Sequence, residues 1–197
     1  MDLRNRRESR LVITIVSGLP RSGTSLMMQM LRAGGMPILT DQRRVADIDN
    51  PHGYWEWEPA KLLPKEPDRI DAAEGMAVKV ISELLFALPQ GRDYKILFME
   101  RPLPEVLASQ EKMLVRRGTD TPGDVVTLAS AFREHMGEVV AWLQEREEIA
   151  VHRVGYRRLV KEPLVIATGI QAFLGIDLDV QAMARAVDPA LYRNRAE

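Results

Sequence analysis

Residues 11–17 (LVITIVS) form a short apolar run, rich in β-branched side chains and closed by Gly18. That pattern predicts a strand buried on both faces, and it suits the centre of a sheet. After Gly23 the apolar residues Leu26, Met27, Met30 and Leu31 recur at helical spacing until Gly34-Gly35 ends the pattern. Residues 76–81 and 95–99 are two further apolar runs, each followed by helical periodicity, and 149–154 supplies a fourth strand. Strands alternating with helices predict an α/β fold of three layers, with a central parallel sheet flanked by helices. Between 121 and 148 the residues Val125, Leu128, Ala129, Phe132, Met136, Val139, Val140 and Leu143 mark one face of a long amphipathic helix. Residues 163–174 and 180–187 read as two last helices on either side of Gly175-Ile176-Asp177.

Residues 40–71 break this rhythm. The stretch holds Asn50-Pro51-His52-Gly53-Tyr54-Trp55-Glu56-Trp57 and several prolines, and it is long for a connection. Long loops on rigid scaffolds often carry function, so a substrate-side loop or lid is expected here.

Composition narrows the function. A chain of 197 residues with 46% apolar and 28% charged side chains suits one soluble domain spanning residues 1–197. The net charge of -1 gives no support to nucleic-acid binding through overall positive charge, and a small-molecule partner is expected instead. There is no cysteine, and His52, His135 and His152 lack metal-ligand spacing, so no metal is expected. The N-terminus is basic through Arg10 and apolar from Leu11, which superficially copies a secretory leader. The apolar run is short, lacks a small-residue cleavage site and leads straight into a glycine loop. No stretch approaches the roughly 20 apolar residues of a membrane span. A cytoplasmic protein away from membranes is the expectation.

The glycine loop is Gly18-Leu19-Pro20-Arg21-Ser22-Gly23-Thr24-Ser25, set between strand and helix. In that setting backbone N–H groups and a helix N-terminus cradle phosphate oxygens; the plain alternative is a tight turn that closes a strand–helix joint. The G-x-x-x-x-G spacing matches a nucleotide-triphosphate loop, but Thr24 stands where that motif has lysine. The fixed cation is Arg21, inside the loop.

Residues 19–25 resemble the P-[KR]-S-G-T-[TS] loop of the sulfotransferase family, which holds the 5'-phosphosulfate of 3'-phosphoadenosine 5'-phosphosulfate (PAPS). The arginine form is similar to the loops of the carbohydrate and tyrosylprotein members. The resemblance implies that Arg21, Ser22, Gly23, Thr24 and Ser25 bind the donor, with Arg21 at the 5'-phosphate and bridging oxygen. Further on, Arg101, Glu105 and Ser109 fall on the family's R-x-P-x-[DE]-x-x-x-S segment, whose arginine and serine take the 3'-phosphate. Here the prolines are Pro102 and Pro104, a departure that alters the turn. Residues 154–163 and Phe173-Leu174-Gly175 resemble the family's Y-E-D-L-x-x-x-P and F-L-G stretches. They imply that Tyr156 lies near the adenine or the 3'-phosphate. Arg157-Arg158 replaces the Glu-Asp pair, and the late glycine- and lysine-rich loop is missing. Tyr192-Arg193-Asn194-Arg195 is a possible substitute or a solvated tail.

Sulfuryl transfer needs an in-line nucleophile, a base, and fixed positive charge where the leaving phosphate gains charge. Lys79 ends the strand 76–79, at the crevice where open α/β sheets hold ligands, and joins Arg21 as a catalytic cation. The histidine that serves soluble members as base falls at Ile81. Residues 50–56 resemble an N-P-x-G-Y-[FW]-E segment of bacterial members, which makes Glu56 the candidate base, with His52 and Glu58 as competitors. Tyr54, Trp55 and Trp57 are expected to form an apolar wall around it. The function implied is transfer of a sulfuryl group from PAPS to a hydroxyl or amine acceptor, with 3',5'-diphosphoadenosine (PAP) as product. Two other classes stay open: a P-loop nucleotide kinase using Glu100 for Mg²⁺, and a non-catalytic nucleotide-binding member of the fold.

Overall fold

The computed structural model describes residues 11–41, 43, 44, 46, 47, 50–116, 118 and 125–192. Five parallel strands make the sheet: β1 (Ile13–Gly18), β2 (Ile38–Leu39), β3 (Ala77–Lys79), β4 (Tyr94–Glu100) and β5 (Ile149–Gly155). Their spatial order is β2-β3-β1-β4-β5, so β1 is central, in keeping with its uniform burial. The chain winds away from β1 in both directions. The crevice at the carboxyl end of β1, between β3 and β4, is therefore the switch point of a doubly wound sheet, where such folds hold ligands.

Both faces of the sheet are covered, and the period of two along each strand divides the apolar residues between two cores. Ile13 and Ile15 of β1, with Ile96 and Phe98 of β4, pack with Ala60, Leu63, Ile70, Leu85 and Val139. Val16, with Leu97 and Met99 of β4, packs instead with α1 (Thr24–Ala33), α5 (Pro163–Leu174) and α6 (Val180–Arg185). The remaining helices are α2 (Leu103–Arg116), α3 (Val125–Gln144) and α4 (Tyr156–Lys161). Residues 121–124, where the long helix was expected to begin, lie outside the described residues, as do 1–10 and the arginines at 193 and 195.

The segment 58–73 differs from a plain loop. It forms two 3-10 helices, Glu58–Leu62 and Pro67–Ala73, and buries Ala60, Leu63, Ile70 and Ala73. Arg92 ties the second to the edge of β4 by ion pairs to Asp68 and Asp71. A further 3-10 helix, Ser82–Ala87, stands where helical periodicity was read after β3.

Candidate functional site

The chain leaves β1 through a loop of unusual backbone. Gly18 has φ 142°, and a side chain there would meet the Met99 carbonyl oxygen at 2.6 Å. Gly23, at φ 106°, lies against Tyr156, whose ring would be 2.5 Å from an added Cβ. Arg21 adopts φ 69°, a left-handed conformation costing a non-glycine residue roughly 1–2 kcal/mol. Such strain persists only where the surroundings impose it. Here the Arg21 carbonyl accepts a hydrogen bond from Arg101 Nη1 at 3.2 Å, and its own Nε donates to Ser109 Oγ at 3.0 Å.

These contacts join the glycine loop to the start of α2 across some eighty residues of sequence. Arg21, Arg101 and Ser109 line one cleft of about 460 Å³ together with Gly23, Thr24, Ser25, Glu56, Lys79 and Tyr156. Nine of the ten site residues expected from sequence thus share a wall. Ser22 is the tenth: it is buried, and its hydroxyl has no hydrogen-bond partner among the described residues. It lines a separate, mostly apolar cavity of about 340 Å³ with Leu19, Phe98, Leu103 and Met136.

Arg101 is fixed from several sides. Its Nε donates to Glu105 Oε2 at 2.9 Å, and its guanidinium lies 4.5 Å from the Tyr156 ring centre and 5.4 Å from that of Tyr192. The Tyr192 hydroxyl donates to Glu105 Oε1 at 2.8 Å. Glu105 is buried, so a carboxylate within α2 orients the arginine toward the cleft. Burial raises the pKa of the Tyr156 phenol, which keeps it a neutral donor.

On the β3 side, Lys79 Nζ donates to the Tyr54 carbonyl at 2.6 Å and to Ser25 Oγ at 3.2 Å, and lies 3.5 Å from Glu56 Oε1. Its pKa is lowered to about 8, chiefly by desolvation, which the neighbouring Glu56 carboxylate offsets in part. Ser25 Oγ also accepts from Asn50 Nδ2 at 2.8 Å and donates to the Tyr54 carbonyl at 3.1 Å. A hydroxyl has one donor and two acceptor sites, so that of Ser25 is saturated and its backbone N–H is the group left to meet a ligand.

Glu56 Oε1 takes Arg44 Nη1 at 3.1 Å and lies 3.5 Å from Lys79 Nζ, while Oε2 makes no hydrogen bond among the described residues. The expected apolar wall is absent. Trp55 has φ 53°, which breaks the strand-like alternation of the segment. Trp55 consequently packs on the α1 side of the sheet and Trp57 on the other, and Tyr54 lies under the Arg44 guanidinium at 3.3 Å. Glu56 sits between cations instead. Of its two competitors, His52 lines the cleft, whereas the Glu58 carboxylate pairs with Lys61 at 2.8 Å and does not.

No protein-family model matches the chain, and no curated protein matches it by sequence. Solved structures do match it in three dimensions. The sulfotransferase domain of the Synechococcus PCC 7002 olefin synthase aligns with a TM-score of 0.57 and 17% identity, over 96% of this chain and 90% of that one. The sulfotransferase domain of the curacin biosynthetic pathway aligns at 0.54 and 15% identity, over 93% and 90%. Mouse sulfotransferase SULT7A1, complexed with PAP, aligns at 0.56 and 18% identity, over 91% of this chain and 63% of its own length. The chain has the sulfotransferase fold.

On that fold the cleft also holds residues that sequence reading passed over. Lys112, Met113 and Arg116 lie three, four and seven residues after Ser109, one face of α2, and all reach the wall. Their spacing was the available signal. Arg44 had none, since it stands in an irregular stretch and meets Glu56 only through the fold. Glu100, proposed for Mg²⁺ in the kinase reading, pairs with Arg153 at 3.0 Å and lines the apolar cavity, not the cleft. Among the described residues no group of three or more His, Cys, Asp or Glu is placed to hold a metal, and no helix is long and apolar enough to cross a membrane.

Proposed function

We propose that this protein transfers a sulfuryl group from PAPS to a hydroxyl acceptor, in the cytoplasm and without a metal. The observation that carries the reading is the 3.0 Å contact between Arg21 and Ser109, which brings the two expected phosphate sites together on one cleft of a sulfotransferase fold. That SULT7A1 was solved with PAP supports the choice of nucleotide.

In this reading the loop N–H groups from Gly23 to Ser25, at the N-terminus of α1, take the 5'-phosphosulfate, while Arg101 and Ser109 take the 3'-phosphate. Tyr156 flanks the nucleotide. The acceptor oxygen attacks sulfur in line, and the bond from sulfur to the bridging phosphate oxygen breaks. PAP leaves with the electron pair, and the hydroxyl proton passes to Glu56 Oε2. Arg21 and Lys79 stabilise the charge that grows on the leaving phosphate. Their positions are fixed before reaction, so little reorganisation is needed. The residues of segment 40–57 that line the cleft cover the acceptor side.

Incubation with ³⁵S-labelled PAPS and a panel of phenol, sugar and alkyl hydroxyl acceptors tests this directly. Label should appear in an organic product with matching release of PAP. Tight PAP binding with no labelled product across the panel favours the non-catalytic reading. Phosphoryl transfer from Mg²⁺-ATP would replace the proposal with a kinase.

A further inference from the structure

The proposed transfer makes no use of the second cavity, the one of about 340 Å³. Buried Leu19 and Phe98 line it beside half-buried Leu103, Phe132 and Met136, so its walls are apolar and its volume is that of a small-molecule site. The glycine loop is the partition between the two hollows: Leu19 and Ser22 line this one, Arg21 and Gly23 the cleft, and Arg101 both. Two polar groups interrupt the apolar lining. The Ser22 hydroxyl is buried without a hydrogen-bond partner among the described residues. Arg133, on α3, is exposed, and among the described residues its guanidinium makes no hydrogen bond or ion pair. Its own helix offers it no acid, because the residues three and four positions away are Ala129, Ser130, Met136 and Gly137. Glu100, which also lines the cavity, is taken by Arg153 at 3.0 Å, and Arg101 is held by Glu105 at 2.9 Å. A hydroxyl without an acceptor and a cation without an anion both favour a ligand with an acceptor at one end over a plain hydrocarbon.

We propose that this cavity binds a small carboxylic acid with an apolar body, its carboxylate on Arg133 and its hydrocarbon against Leu19, Phe98, Leu103, Phe132 and Met136. A medium-length alkyl chain suits such walls: Met136 is unbranched and adapts to the chain's shape, and each methylene buried there adds about fourfold in affinity. The acid touches the glycine loop from the side opposite the cleft, so it and a nucleotide occupy the protein together. The site does not depend on which nucleotide the cleft takes.

Calorimetric titration with hexanoate, octanoate and 1-octanol tests this on wild-type protein, Arg133→Gln and Met136→Trp, each variant first shown to be folded by its melting curve. Octanoate should bind wild-type protein at one site, several-fold more tightly than hexanoate. Arg133→Gln, a change at an exposed position, should weaken octanoate about fivefold and leave 1-octanol as it was, since a solvent-screened ionic contact is of that size. Met136→Trp fills the cavity and should remove the binding of both, and added PAP should not displace octanoate from the wild type. The inference is overturned if octanoate does not bind, if Arg133→Gln weakens octanoate and octanol alike or neither, if folded Met136→Trp binds octanoate as the wild type does, or if PAP displaces it. Should Met136→Trp fail to fold, the comparison of acid and alcohol in Arg133→Gln decides alone.

Discussion

Arg157 Nη2 stands 2.7 Å from Glu105 Oε1, a carboxylate whose side chain has no exposed surface. The same carboxylate binds Arg101 through its other oxygen. The arginine pair that replaces a Glu-Asp pair at 157–158 therefore has a structural logic. One of its members shares the buried Glu105 carboxylate with Arg101 beneath the cleft, while Arg158 pairs with exposed Glu162.

Glu105 is accordingly a support on which the cleft depends. Glu105→Ala strands the buried Arg101 guanidinium and should cost about 3–5 kcal/mol of stability, the range for breaking a buried pair by removing one partner. Arg158→Ala, at an exposed pair, should change stability by about 1 kcal/mol or less. Urea denaturation of the two variants checks the contrast, and equal small losses would show that Glu105 is not the anchor.

Lys79 makes the protein's response to pH specific. Its folded pKa of about 8 lies below the 10.5 of an unfolded lysine, so the unfolded chain binds more protons between those values. Below pH 8 the buried charge is a full cost, and stability should rise as pH goes from 8 toward 10.5, by at most about 3 kcal/mol. Lys79→Met should lack this rise. A bound nucleotide's negative charge raises the lysine's pKa again, so PAP binding near pH 8.5 should take up protons. Titration in two buffers of different ionisation enthalpy reads that uptake, and proton release would contradict it.

The left-handed Arg21 offers a clean separation of strain from function. Arg21→Gly relieves the backbone that Arg21→Ala keeps, so the glycine variant should be the more stable of the two by about 1 kcal/mol. Both should lose PAP affinity alike if the guanidinium binds phosphate. Should the glycine variant melt higher and still bind PAP as the wild type does, Arg21 serves the turn alone.

The sheet was legible from sequence because β1 and β4 are apolar runs, Ile149, Val151 and Val154 mark β5, and each core face follows from the period of two. β2 was not, since Ile38–Leu39 is two residues long. The segment between 58 and 73 carries Leu63, Ile70 and Ala73 at helical intervals of seven and three, but Pro59, Pro64 and Pro67 interrupt any continuous α-helix, and the stretch read as loop. Within the cleft, Arg21, Arg101 and Ser109 could be named from motif spacing. The surroundings of Glu56 could not: one positive φ at Trp55 sends two tryptophans to opposite cores, and Arg44 arrives from a stretch without pattern.

Glu56 remains the base to test, now on geometry: one oxygen held by two cations, the other without a hydrogen bond among the described residues. General-base catalysis is worth about 10²–10⁴-fold in rate. Glu56→Gln should keep PAP affinity and slow transfer by at least about a hundredfold, the lower end of that range. Wild-type transfer in Glu56→Gln, with loss in His52→Ala, would move the base to the histidine on the same wall.

The account stands most directly on the 3'-phosphate, and competitive calorimetry with PAP, ADP and Mg²⁺-ATP on wild-type protein and Arg101→Ala measures it. A charge-assisted hydrogen bond is worth about 1.5–3 kcal/mol, so PAP should bind wild-type protein at least about tenfold more tightly than ADP. Arg101→Ala should erase most of that margin while leaving ADP affinity nearly unchanged. Equal losses for PAP and ADP in Arg101→Ala, or tighter binding of Mg²⁺-ATP than of PAP by the wild type, would contradict a PAPS site in this cleft.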